Sequence, residues 1–394
     1  MVLYTLAFGS LSNILIPMLV ECRATDFAES TFLWNTMLAI LVGGSLLLIL
    51  SYYPLLYLFP LMFRKLAWID LGQVSKVVLA YSAYQILFSA ATVKNCFLVA
   101  EERPVSAQIG TLGGWLFSLV LLASIHSNQR LWRIPLWLVC GNAVTLLWPN
   151  LRRNLFTYRR GLFRLHLISL LHRCLPVLAG GAVTKLEPVL DGVIASFFKE
   201  GSLTIFYFFG RAMFYVSSII FSGYIQPEQK HLADAVNAGQ WETVGNKTRL
   251  LSLRAMFISV GMLAAATALC AVLYLCGFHS LKRYIGYLSA DLSVFFLLLG
   301  YLFGLIAGVC YANSLYVIRR ERAFLFATIA TFPVGIVCKL AGANMLGLPG
   351  LAAGTSVYWI LYAVSLAFVF SRSLSREAQT ADKERSYEPA AISQ

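Results

Sequence analysis

Eleven runs of apolar residues decide what this chain can fold into; they cover 3–20, 34–58, 76–100, 105–125, 131–148, 163–198, 203–225, 251–278, 288–316, 321–343 and 350–371. About 20 residues, each rising about 1.5 Å, carry a helix across the hydrocarbon core of a bilayer. Each run is therefore read as one membrane crossing. Composition agrees: 59% of the 394 residues are AVILMFWYC and 12% are charged, against about 45–50% and about 25% in soluble domains. That balance excludes an ordinary soluble enzyme and a disordered protein. The run 163–198 is too long for one straight crossing. Pro176, Gly180, Gly181 and Pro188 punctuate it, which predicts a bent helix.

The loops orient the spans. Counting alternate loops, one set carries 18 Lys and Arg and the other 8. The richer set is expected to face the cytoplasm, which puts the C-terminus inside. Met1 lies directly against an apolar run, so a first helix is expected to be missing upstream. The polar tail 373–394 is expected to be disordered. The net charge of +13 is read as cytoplasmic loops lying on anionic phospholipid headgroups, not as a nucleic-acid footprint. The loop LRRNLFTYRRGLFR, with Arg152, Arg153, Arg159, Arg160 and Arg164, carries most of that expectation.

Catalytic signals are missing from the sequence. Eight cysteines form no CxxC and read as small buried hydrophobes. Five histidines form no HExxH. Walker, Rossmann and GxSxG patterns are absent as well. The expectation is a non-enzyme with no cofactor, no catalytic residues and no metal-ligating His/Cys cluster. A membrane glycosyltransferase or polymerase would need a sizeable outer loop carrying acids or histidines, and the long loops are on the cytoplasmic side.

Two junctions recur along the chain. LIPMLVE with Pro17 matches YIQPEQK with Pro227, and LVAEERPVSAQIG with Arg103 matches YVIRRERAFLFATI with Arg322. Both offsets equal six spans, so the two halves share orientation, as in a parallel transporter repeat. The expected fold is an all-α polytopic membrane protein of about 11 transmembrane helices in two parallel-repeat lobes around a central cavity. The lobes are expected at 1–150 and 165–372, joined by a basic linker at 151–164.

The stretch from Val189 to Glu242 resembles the core signature of the bacterial lipid II flippases, the MviN-like family of the multidrug/oligosaccharidyl-lipid/polysaccharide exporter superfamily. The resemblance rests on Asp191, Ala195-Ser196, Gly201-Ser202, Tyr207 to Arg211 and Pro227. FGSLSNILIPMLVE resembles the family's second helix and GLPGLAAGTSV the start of its twelfth. This implies two six-helix lobes in the bacterial inner membrane and a monomer. The implied activity moves undecaprenyl-pyrophosphate-linked saccharides, polyprenyl-diphosphate-linked glycans, from the inner to the outer leaflet by alternating access. Set against the resemblance, the family's first helix, the cationic residues found there and two C-terminal helices of many members are expected to be missing. An ion-coupled small-molecule or drug antiporter of the same superfamily is the alternative.

Charged residues inside spans are the candidate functional groups, because an unpaired charge at the bilayer centre costs several kcal/mol. Arg211 reads either as a diphosphate contact or as a stitch to Asp191 or Glu187. The resemblance favours the diphosphate role. Lys94 reads as further cationic lining or as a snorkelling side chain. Lys185, Glu187 and Asp191 lie in the bent helix, with Glu187 and Asp191 on one face. They read as an ion- or proton-coupled hinge, or, for Lys185 and Glu187, as water-exposed at the outer end. The resemblance also implies a sodium site using Asp191 and Thr355, but its acidic position falls on Lys339. An ammonium is expected to replace the ion there and pair with Asp191, unless Lys339 snorkels to the interface.

Overall fold

A computed structural model describes residues 15–20, 43, 46, 50, 71–101, 103–123, 133–147, 160–199, 201–275 and 292–391. Every element among them is helical. The predicted spans at 3–20 and 34–58 lie mostly outside the described residues, as does most of the basic linker. The helices are α1 (Leu71–Ala100), α2 (Pro104–Ala123), α3 (Arg133–Leu147), α4 (Arg160–Ala195), α5 (Ser202–Ile220), α6 (Gln226–Asn237), α7 (Trp241–Leu275), α8 (Leu292–Leu297), α9 (Leu299–Val317) and α10 (Glu321–Ala391). Among the described residues, five stretches are long and apolar enough to cross a membrane: Leu79–Ala100, Ser202–Asn237, Trp241–Ala268, Leu292–Val317 and Glu321–Thr380. Two compact units divide the chain, Met1–Cys174 and Leu175–Gln394. Their boundary falls inside α4 and not in the linker at 151–164. The helical path also continues to Ala391, through much of the tail whose composition suggests disorder.

In the first unit α2 and α3 pack antiparallel with no room to spare. A Cβ on Gly114 would stand 2.4 Å from the Gly141 carbonyl oxygen. Thr145 Oγ1 reaches Gly110 O at 3.2 Å, and Ser118 Oγ reaches Trp137 O at 3.1 Å. α1 joins them through Asn95, whose amide donates to Thr111 Oγ1 at 2.9 Å. Close approach through small residues replaces the hydrophobic drive that lipid cannot supply.

The second unit uses the same device at larger scale. Gly347 (φ 64°, ψ −135°) interrupts α10 and splits it into two limbs, matching the two spans predicted at 321–343 and 350–371. The limbs fold back on one another in antiparallel register. Gly342 meets Gly350, Gly354 meets Cys338 and Lys339, and Gly335 meets Tyr358. α9 runs parallel to the second limb, with Gly300 against Ser356, Gly304 against Trp359 and Gly308 against Tyr362. The spacing of four places all three glycines on one face of α9.

α4 holds Pro176 and Pro188 in its interior. Pro188 has no N–H to offer the carbonyl of Thr184, so one backbone hydrogen bond of α4 is missing there. α4 then ends in a tight turn at Gly201, whose φ of 89° suits glycine. α5 runs through a π-helical turn, Phe221–Ile225, into α6, so Pro227 sits in the first turn of α6. The junctions after α1 and α9 close alike: Arg103 N–H bonds Leu98 O and Arg320 N–H bonds Leu315 O, both at 2.8 Å. Backbone geometry thus pairs Arg103 with Arg320 and not with Arg322, and Arg319 takes the left-handed position (φ 58°) typical of this helix end.

The glycine contacts give a signed test. Gly304→Ala drives a methyl into the backbone of Trp359, where the nearest atom is 2.4 Å from the Cβ position. It should destabilise the protein by about 1–3 kcal/mol. Gly261, with nothing within 4 Å, should gain about 0.5–1 kcal/mol as alanine. Thermal unfolding of the two variants in detergent should therefore move in opposite directions.

Candidate functional site

Three charges meet inside the second unit. Glu187 and Asp191 are one turn apart on α4 and are each 3% exposed. Both face Lys339 on the first limb of α10, itself 2% exposed. The Lys339 ammonium donates to Glu187 Oε1 and lies 2.7 Å from Asp191 Oδ1. The second limb closes the other side. Trp359 Nε1 donates to the same Glu187 oxygen at 3.1 Å, and Thr355 Oγ1 stands 3.4 Å from both Asp191 oxygens. The ammonium lies 5.1 Å from the ring centroid of Tyr358, within cation–π range. Thr355, Tyr358 and Trp359 share one helix face because they are three and four residues apart.

Local structure makes this closure possible. Gly354 lets the second limb approach Lys339, where an added Cβ would stand 2.7 Å from the Lys339 Cα. Gly335 makes room for the Tyr358 ring, and Gly304 lets α9 lie against Trp359. On the far side of α4, Gly192 meets the Tyr207 hydroxyl, which donates to Pro188 O at 3.3 Å.

Two carboxylates and one ammonium leave one negative charge in excess when all three are ionised. In a buried, water-poor setting that excess is costly. One proton or one further monovalent cation makes the cluster neutral. A sodium ion does not fit between these carboxylates as the chain stands, because the ammonium already occupies the position between them.

The other candidates separate from this cluster. Arg211 is exposed on α5 and takes no part in the cluster; Asp191 and Glu187, its alternative partners, bind Lys339. Lys94 is 2% exposed among the described residues. Its ammonium donates to the carbonyls of Thr145 and Leu146 at 2.8 and 3.0 Å. It thereby satisfies the C-terminal end of α3, where a cation is favoured by the helix dipole. Glu187 is buried, not bathed in water at an outer helix end. The side chain of Lys185 lies outside the described residues, although its backbone belongs to α4.

Several residues escaped the sequence reading. Trp359 and Tyr358 belong to the cluster, and the only sequence signal was their spacing from Thr355. Gln229 (0% exposed) and Asn313 (1%) have no partner for either amide atom among the described residues. A small cavity of about 40 Å³ in the first unit is lined in part by Tyr84, Phe88, Asn95, Trp115 and Asn142. That is room for a few water molecules.

Comparison with known proteins places the fold. No protein-family model matches the chain, and no curated protein sequence does. Solved structures do. The Vibrio cholerae MATE transporter VcmN in its bent form aligns with a TM-score of 0.73 and 13% identity, over 95% of this chain and 86% of that one. The outward-facing form of a multidrug resistance MATE family transporter of the MOP superfamily aligns at 0.69 with 16% identity, again over 95% and 86%. An inward-facing form aligns at 0.63 with 14% identity, over 96% and 89%. This chain is a multi-pass, all-helical membrane protein with the two-lobed MATE transporter fold.

The cluster predicts a stability pattern. Lys339→Met leaves two carboxylates facing each other and should cost about 3–5 kcal/mol. Adding Glu187→Gln to that variant removes one of the two like charges and should recover part of the loss, a coupling that a double-mutant cycle of thermal unfolding in detergent would read.

Proposed function

We propose that this chain is an alternating-access transporter of the MOP superfamily, working as a proton-coupled antiporter of small organic anions. The observation that carries the reading is the charge distribution of the second unit. The buried Glu187 and Asp191 are held by Lys339, while Arg211 stands exposed within an apolar helix. An exposed guanidinium in a span selects anions, since its rigid fork matches carboxylate and phosphate oxygens. The excess negative charge of the Glu187–Asp191–Lys339 cluster gives a place for one proton. The helix irregularities on either side, at Pro188 and Gly347, give movable segments next to it. The kinship in fold with MATE transporters, among them proteins named for multidrug resistance, supports export of small molecules.

A second reading is flipping of a polyprenyl-diphosphate-linked glycan from the inner to the outer leaflet. Arg211 within the stretch resembling the lipid II flippases favours it, and it shares the anion chemistry of the first. In both readings the chain works in a bacterial inner membrane as a monomer. Its C-terminus is cytoplasmic and its basic segments lie on anionic phospholipids.

Purified protein in liposomes under an imposed pH gradient separates the readings. A fluorescent organic anion should be transported, and Arg211→Ala should slow it by about tenfold, the loss of roughly one charge-assisted contact. Equal transport of a cationic dye, untouched by Arg211→Ala, would overturn anion selection. Movement of a polyprenyl-diphosphate saccharide between leaflets, with the free anion left behind, would move the assignment to the second reading.

A further inference from the structure

We infer that Lys339 is a tethered cation: its ammonium takes the place of a free monovalent metal ion between Glu187 and Asp191, and its removal uncovers a sodium site built from Glu187, Asp191 and Thr355. The inference deepens the transporter reading and rests on it only for the consequence that transport needs no sodium.

The geometry of the cluster is that of an ion site more than of a surface ion pair. The ammonium contacts an oxygen of each of two carboxylates that come from consecutive turns of one helix. Thr355 supplies a hydroxyl oxygen 3.4 Å from both Asp191 oxygens, a distance at the limit of a hydrogen bond. That leaves the hydroxyl available to a ligand nearer the centre. The Tyr358 ring faces the ammonium, and the Tyr358 hydroxyl is buried with no partner among the described residues. Hard cations such as sodium take oxygen ligands of this kind. Lysine is the substitution that fills such a place from within the chain. The ammonium already fills the position between the two carboxylates, so the chain as it stands leaves no place there for sodium. Gly354, packed on the Cα of Lys339, and Gly335, under the Tyr358 ring, shape the surrounding backbone to this side chain.

An ordinary structural ion pair predicts only that losing Lys339 destabilises the fold. A tethered cation predicts in addition that sodium repairs the loss. The test uses the full chain in detergent, with sodium chloride or choline chloride at equal ionic strength. The readouts are the thermal unfolding midpoint and the binding of radioactive sodium. For the native chain the midpoint should be the same in both salts, and sodium binding should stay at background. For Lys339→Ala the midpoint should be lower in choline and should rise with sodium in a saturable way, as a ligand that binds only the folded state requires. Bound sodium should exceed that of the native chain by about tenfold, a difference of roughly one factor of ten in affinity. Adding Asp191→Asn should abolish the sodium effect. Lys339→Gln, one atom shorter than lysine and uncharged, serves if the alanine variant fails to fold. Saturable sodium binding by the native chain would overturn the inference. So would an Ala or Gln variant that folds and ignores sodium. Absence of any transport by the native chain, with this binding pattern intact, would count against the transporter reading alone.

Discussion

A charge inside a membrane protein has no water to fall back on, and the second unit is organised around meeting that constraint once. Each unpaired charge near the bilayer centre costs at least about 2.5–3.5 kcal/mol, so three of them must be brought to hydrogen-bonding distance or not be there at all. Glu187 and Asp191 come from α4, Lys339 from the first limb of α10, and Trp359 and Thr355 from the second. Closing the cluster therefore fixes three helical segments together. The glycine contacts follow from it: without Gly354 and Gly335 the limbs of α10 stand too far apart, and without Gly304 α9 cannot lie on Trp359.

The first unit meets the same constraint differently. Lys94 and Lys339 are both among the largest fully buried side chains. Lys94 is satisfied by backbone carbonyls at the end of α3, where aligned peptide dipoles present partial negative charge. Lys339 takes full carboxylates. A lysine in an apolar run thus carries no functional meaning by itself; its partner decides.

That contrast also explains what the sequence could tell. The spans of the second unit were legible because an apolar run of bilayer length has few alternatives, and the gap between the runs 321–343 and 350–371 falls where Gly347 splits α10. Membrane length and helix length are different quantities, however. α7 begins at Trp241, ahead of the apolar run at 251, because WETVGNKTR is polar but still helical. Helix formation does not stop where lipid stops. In the site, the shared face of Glu187 and Asp191 follows from a spacing of four, whereas the meeting of Lys339 with Asp191 was implied only by the family resemblance. The part played by Glu187 as the closest acceptor of Lys339, the Trp359 bond and the occupation of Lys94 all depend on which helices touch. No local spacing encodes that.

The π-helical turn Phe221–Ile225 has a consequence of its own. Its wider ring, closed by Gln226 N–H on Phe221 O, accommodates one residue more than an α-helix would over the same rise. One residue corresponds to about 100° of rotation, so the turn sets the angular phase of everything in α6. In the present phase Gln229 and Leu232 point to the interior while His231 and Asp234 lie outside. A single inserted or deleted residue in that turn would rotate α6 by about 100° and bring a different set of its side chains to the interior, so the length of the segment, as much as its composition, specifies which surface the helix presents.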